Sequence, residues 1–478
     1  MADLTSLDAT GLLQALESKR LSAAELLAAT IAQFHAVNPK INAVVVTDLE
    51  PARIRAKAID DARMKGDSLG ALAGLPMTIK DCLDVDGMPA SVGVPALLKR
   101  PGHDAAAVAK ARGAGAVIWG KTNVPVMVGD WQSYNSIYGP TNNPWDLART
   151  PGGSSGGAAA ALATGITALE IGSDIGGSLR VPASFSAVYA HKPTHGLVPQ
   201  RGHIPPAPGT LSPPDLNVVG PMARSARDLR LLLSVIADGP VAAKAPPAEL
   251  KGLKVGLWLN EPDYPLDPLC EAAIQDFAKV MGGAGAEVRP IKPVETAPLM
   301  EAYTVLLLSP MGAGLPAGSQ RAMRRMRGLA QLIKTLGLPP PPWAAQVMAY
   351  TATHVEWLAA NEARTKIGER MKGVFSQVDV IIAPATPLCA FPHDHSPFNR
   401  RTLTLSDGKR IPYRSMLNWI ALATACGLPA TAVPIGPLSN GLPYGVQIIG
   451  PRGGDTKTLA VAQAIEEVFG GFTAPAGV

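Results

Sequence analysis

Short apolar runs alternate with helix-like stretches along the whole chain, and that alternation limits the fold more than any other feature. Bounded apolar runs of strand length occur at 116–119, 167–171, 254–259, 379–383, 430–435 and 445–449. Helical patterns lie between them, near 104–114, 157–164, 226–237, 268–281, 345–373 and 456–468. Elements ordered this way bury one another's apolar faces, which predicts an α/β sandwich on a largely parallel or mixed sheet. Near the start, Ser22 and Glu25 form a capping box, and Leu26, Leu27, Thr30, Ile31 and Phe34 follow at helical spacing. Asn38-Pro39 is expected to stop that helix.

With 478 residues, 47% of them hydrophobic, the chain can bury a large core without disulfides or structural metals. A net charge of +5 spread over this length gives no electrostatic reason to expect nucleic acid as a partner. Cys82, Cys270, Cys389 and Cys426 lie far apart with no C-x-x-C pair, against both a disulfide framework and a cysteine zinc site. Residues 1–5 show no secretory pattern and no run of 18 apolar residues occurs, so a cytoplasmic protein without membrane insertion is expected. Forty-eight Gly and 45 Pro imply many ordered turns, and Pro-rich stretches at 205–214, 240–247 and 338–342 read as surface connections. One domain over 1–478 is the expectation; 240–251 is the best boundary candidate if there are two. Between 310 and 336, Arg321, Arg324, Arg325, Arg327 and Lys334 interleave with Met323, Met326, Leu329, Leu332 and Ile333. This is a basic amphipathic helix, suited to a solvated face, a pocket lid or a membrane surface.

The segment richest in chemistry is Thr150-Pro151-Gly152-Gly153-Ser154-Ser155-Gly156-Gly157, followed by Gly172-Ser173-Asp174-Ile175-Gly176-Gly177-Ser178-Leu179-Arg180. Glycines in such density mark unusual main-chain geometry around the serines they flank. A Walker A loop needs a Gly-Lys pair, and neither cluster contains Lys. Gly152-x-Ser154-x-Gly156 matches a nucleophile elbow literally, but no apolar strand precedes it; His354, His393 and His395 lack a fitting context. The remaining reading pairs the two serines, 24 residues apart, with an upstream lysine.

Gly74-Leu75-Pro76-Met77-Thr78-Ile79-Lys80-Asp81, the Gly-Gly-Ser-Ser-Gly-Gly loop and Gly172–Arg180 together resemble the amidase signature family. The segments 113–123, 139–145, 192–196 and 445–450 extend the resemblance over about residues 5–470. It implies the amidase signature fold, a central twisted mixed β-sheet sandwiched between layers of α-helices, with a variable lid or pocket region at about 300–345. It also implies that Ser178 is the nucleophile, Ser154 a proton relay behind a cis peptide from Gly153, and Lys80 the base. The N–H groups of Ile175, Gly176, Gly177 and Ser178 would form the oxyanion hole. Met127, Val128 and Gly129 would line the substrate pocket, and Gly153, Ser155, Asp174 and Arg180 would support the loops. A lysine acts as a base only when neutral. Bringing it from about 10.4 to half-neutral near pH 7.5 takes about 4 kcal/mol, within the reach of burial.

The implied reaction is amide C–N cleavage through an acyl-Ser178 ester, with no metal and no organic cofactor. His393-Asp394-His395 lacks a third ligand and reads as a loop rather than a metal site. Val126 stands where many family members carry Glu, and 190–197 and 310–342 also depart from the common pattern. These departures favour apolar or aryl amides and anilides, extending to aryl carbamates, urethanes and esters. The expected partners are therefore a small-molecule amide or carbamate and at most a second copy of the chain. The alternative is the A subunit of a glutamine-dependent tRNA amidotransferase.

Overall fold

The computed structural model describes residues 7–99, 102–338, 341–476 and 478. Residues 1–5 and the Pro339-Pro340 part of the 338–342 connection lie outside the described residues, as does the Lys334 side chain. Eleven strands build the central sheet: β1 Val44–Thr47, β2 Pro76–Lys80, β3 Val117–Thr122, β4 Leu169–Asp174, β5 Tyr189–Lys192 and β6 Val218–Ala223, then β7 Lys254–Leu257, β8 Glu287–Pro290, β9 Val380–Pro384, β10 Ala430–Pro437 and β11 Pro443–Ile449. Their spatial order is β1-β3-β2-β4-β6-β5-β10-β11-β9-β7-β8. The sheet is mixed: β2 runs parallel to β3 and β4, β7 is parallel to β8 and β9, and the middle from β4 to β9 is antiparallel. The strand that follows 240–251 enters this same sheet.

Side-chain alternation divides the sheet into two faces. Met77, Ile79, Leu169, Ile171, Val380, Ile382, Val446 and Ile448 sink into one large apolar cluster, which includes the helices 9–17, 23–41, 226–236 and 455–469. Ile381, Ala383 and Ile449 face the opposite way, into a second cluster built on the helices 296–313, 354–375 and 421–425. Helices thus cover the sheet and supply its apolar counter-surfaces. Lys80 and Thr78 alternate with Met77 and Ile79, so they belong to the face turned away from the large cluster.

Two boundaries differ from the sequence pattern for local reasons. The first capped helix continues to Ile41 with Pro39 in its last turn and ends at Asn42, whose φ of 50° is left-handed. The run 345–373 is two helices, Pro342–Tyr350 and His354–Phe375, because Thr353 and Glu356 form a second capping box that starts a new helix. No helix among the described residues is long and apolar enough to cross a membrane.

Candidate active site

Lys80 ends β2, and its side chain is fully buried. The loop that opens the helix Gly156–Ala163 brings Ser154 above it, and the peptide between Gly153 and Ser154 is cis. A β-carbon on Gly157 would stand 2.4 Å from the Asn123 nitrogen, so only glycine lets this helix seat so close to the end of β3. Lys80 Nζ lies 2.8 Å from Ser154 Oγ, 3.0 Å from Ser173 Oγ and 3.4 Å from the Ser173 carbonyl. Lys80, Lys121 and Lys192 are all fully buried, but Lys121 pairs with Asp81 at 3.2 Å and Lys192 donates to the Pro193 carbonyl. Of the three, Lys80 alone meets serine hydroxyls. Burial pulls its ammonium value down, while Cys82, Asp174 and Glu170 push it back up.

Ser178 follows β4 by a tight turn and is 6% exposed, against 1% for Ser154 and none for Lys80. The Ser155 N–H donates to the Ser178 carbonyl at 3.2 Å, which joins the two serine loops. Among the described residues no hydrogen bond joins the Ser154 and Ser178 hydroxyls directly.

Asp174 organises the turn. Its carboxylate accepts from the Gly177 N–H at 2.9 Å, the Leu179 N–H at 3.1 Å and the Arg180 guanidinium at 2.9 and 3.1 Å. Burial would raise the Asp174 value, but Arg180 holds it down at about 2. Arg180 reaches onward to Thr424 Oγ1 at 2.7 Å, Gln447 Oε1 at 2.8 Å and the Ile420 carbonyl at 3.2 Å. Of the four expected oxyanion donors, Gly177 has its N–H committed to Asp174.

Two donors outside the motif hold neighbouring carbonyls. The Tyr303 hydroxyl donates to the Ile175 carbonyl, and the Trp131 indole donates to the Gly176 carbonyl, both at 2.8 Å. Within a trans peptide the C=O and the following N–H point in opposite directions. These two anchors therefore fix how the N–H groups of Gly176 and Gly177 are aimed.

The expected pocket residues spread apart. Met127 and Val128 adopt left-handed φ values of 53° and 51°, a conformation that costs a β-branched residue energy. Met127 is exposed, while Val128 packs against the large apolar cluster. Gly129 and Val126 line a cavity of about 330 Å³ with Tyr134, His395, Phe398 and Arg401. His395 stacks on Tyr134 at 4.0 Å and His393 reaches Asn142, and no cluster of metal-ligating residues occurs among the described residues. Cys426 lines a separate cavity of about 470 Å³ beside the helix 354–375. His203, Tyr303 and Trp131 approach the site from distant parts of the sequence, whereas Cys82 lies two residues after Lys80 and Ser173 five before Ser178. Only Ser173, inside the second glycine cluster, carried a local signal.

A family model described as Amidase matches residues 25–459. The A subunit of glutamyl-tRNA(Gln) amidotransferase from Salinispora tropica is 31% identical, with 100% of both chains covered. A bacterial aryl acylamidase of the amidase signature enzymes superposes with a TM-score of 0.81 at 27% identity, over 97% of this chain and 96% of its own. A structure described as a vestigial protein complex, bearing on the origins of an s-triazine catabolic enzyme, gives 0.79 at 26% identity, over 98% and 100%. These relatives correct the expectation that the partners are only a small-molecule substrate and a second copy, with nucleic acid excluded. A full-length relative is one component of a tRNA-directed enzyme, and a structural neighbour belongs to a protein complex.

Proposed function

The chain belongs to the amidase signature family of amide hydrolases, and from that premise we propose that it is the amide-cleaving component of a multi-chain assembly, acting through an ester on Ser178. The observation that carries this reading is the buried 2.8 Å contact between Lys80 Nζ and Ser154 Oγ beneath the Ser178 turn. Lys80, whose ammonium form burial disfavours, takes a proton from Ser154 as Ser154 takes one from Ser178. The Ser178 oxygen attacks the carbonyl carbon, and the N–H groups of Ile175, Gly176 and Ser178 receive the developing negative oxygen. The proton on Lys80 returns through Ser154 to the departing nitrogen. Water then opens the ester by the same transfers. Asp174, Arg180, Gly153 and Ser155 hold the loops rather than the substrate.

Membership of an assembly rests on the full-length likeness to the A subunit of glutamyl-tRNA(Gln) amidotransferase, and it makes glutamine the amide donor. A second reading, a hydrolase of apolar or aryl amides extending to aryl carbamates and esters, is favoured by the walls around Ser178. Leu417 and Ile420 stand against Gly176 and Gly177, and Val126 and Met127 are exposed on the loop after β3. Such walls suit a ring or alkyl chain better than a zwitterion, whose two charges each need a partner. In either reading 1–478 is one domain, with about 300–345 as its variable cover.

One experiment separates them. The protein, purified from its native source with any bound chains, is assayed for ammonia from glutamine and for 4-nitroaniline from 4-nitroacetanilide, and a fluorophosphonate adduct is mapped by mass spectrometry. Glutamine turnover that depends on co-purified chains supports the first reading, and anilide turnover by the isolated chain supports the second. An adduct on Ser154 instead of Ser178 would sink the shared mechanism.

A further inference from the structure

Two hydrogen-bonded arms leave the Lys80 nitrogen, and the mechanism above uses only the one to Ser154. The other runs to Ser173 Oγ at 3.0 Å, then to Cys82 Sγ at 3.5 Å, then to His203 Nε2 at 3.3 Å. His203 Nδ1 lies 2.7 Å from the Pro205 carbonyl. A carbonyl only accepts, so Nδ1 carries the ring hydrogen and Nε2 offers a lone pair to the Cys82 thiol. All four side chains are buried. His203 arrives on a loop fixed to the turn after β2, through the Ile204 N–H to the Cys82 carbonyl and the Asp84 N–H to the Gly202 carbonyl.

We propose that Cys82 and His203 are positioning residues that steady the ammonium Lys80 becomes during the reaction. This rests on Lys80 being the base. As Lys80 Nζ gains the proton leaving the serines, the Cys82 S–H bond breaks and the His203 Nε2–H bond forms, which leaves a thiolate beside the new ammonium. When Lys80 gives its proton to the leaving nitrogen, the proton on Nε2 returns to Sγ. No proton is gained or lost by the pair over the cycle. Neither residue touches the substrate.

A charge created in a fully buried place is costly unless an opposite charge meets it. The other acids facing Lys80 cannot supply one on demand. Asp174 is already ionised and engaged by Arg180. Glu170, one strand over on β4, is pushed up to about 8 by burial and stays protonated near neutrality. Burial raises Cys82 as well, but His203 and Lys80 beside it bring the thiol down to about 7. Burial pushes the other three cysteines up, so of the four it is Cys82 whose surroundings most favour release of the thiol proton.

The test is the pH dependence of Ser178 phosphonylation by a fluorophosphonate, on the full chain, for wild type, Cys82→Ser, His203→Gln and Lys80→Ala. Lys80 and Cys82 titrate as a pair, so the acid limb of the profile belongs to both. A thiolate favours the charged lysine, so its loss lets the neutral lysine appear at lower pH. Cys82→Ser and His203→Gln should each move the acid limb down by roughly 0.5–1 pH unit. Each should also lower the plateau about three- to tenfold. Serine keeps the size and the hydrogen bond but does not ionise, so a wild-type profile in Cys82→Ser would reduce the pair to packing and overturn the inference. An unmoved limb with only a lower melting temperature would do the same. Should one of the two variants fold poorly, the other carries the test, and a wild-type acid limb in it overturns the inference. Lys80→Ala separates the two claims. If it labels at the wild-type rate, the base assignment itself fails; if it is inert while the Cys82→Ser limb stays in place, only this inference fails.

Discussion

At the scale of single residues, the site depends on what burial does to ionisable groups. Ser178→Ala should abolish the covalent adduct, and Lys80→Ala or Ser154→Ala should slow its formation by about 10²–10⁴-fold, measured by intact-mass labelling kinetics. Glu170 offers a separate check. Its carboxyl oxygens and the Thr78 and Thr122 hydroxyls beside it are buried without a well-formed hydrogen bond. Burial lifts its value from 4.5 to about 8. An acid raised on folding holds an extra proton in the folded state between those two values, so the stability it contributes falls as pH rises across that window and levels off above it. The melting temperature of the wild type should therefore decline between about pH 5 and 8 more steeply than that of Glu170→Gln, by calorimetry. Lys80, Ser154 and Ser178 were singled out through the family resemblance of the motifs that carry them, and the structure brings Lys80 and Ser154 within 2.8 Å. His203, Tyr303 and Trp131 were not, because each reaches the site through a contact from elsewhere in the chain and nothing beside it in sequence signals that contact; Cys82, two residues after Lys80, was passed over because a lone cysteine forms no pattern. Gly177 looked like an oxyanion donor by position alone, and the carboxylate three residues earlier claims its N–H instead.

At the scale of elements, the two serine loops are correct only as far as their neighbours hold them. Tyr303 lies in the helix Thr296–Ala313 and fixes the Ile175 carbonyl, so this helix supplies a residue that aims the site. Tyr303→Phe keeps the ring and removes one hydrogen bond, worth about 1 kcal/mol. It should lower kcat about three- to tenfold with KM nearly unchanged, in steady-state assays of whichever amide is turned over. Arg180→Lys should be more severe, because a lysine cannot replace the planar fork and leaves Asp174 buried with poor partners. The melting temperature should drop sharply and labelling should slow together with it. Strand patterns near 117, 169, 254, 380, 430 and 445 were readable from bounded apolar runs, and these segments do form strands. β1, β5, β6 and β8 were missed, since four to six residues with a Pro, His, Lys or Thr among them carry little periodic signal. The continuous reading of 345–373 failed for a different reason: apolar periodicity persists across a cap, whereas backbone hydrogen bonding does not.

At the scale of the whole molecule, chain order and spatial order diverge. β10 and β11 are the last strands made, yet they lie in the middle of the sheet, between β5 and β9. A chain cut before residue 420 would keep Lys80, Ser154 and Ser178 but lose two central strands and the Thr424 and Gln447 partners of Arg180. Such a fragment should show neither a cooperative melt nor a fluorophosphonate adduct, by calorimetry and mass spectrometry. An α/β sandwich was readable from alternation, but alternation says nothing about which strand lies beside which, so the placement of the final strands was not. The arginine behind the nucleophile is thus tied to residues synthesised some 240 positions later. During synthesis Ser178 therefore emerges some 240 residues before the groups that brace the arginine beside it. Until those residues have left the ribosome, the turn that carries Ser178 lacks the groups that hold its arginine in place.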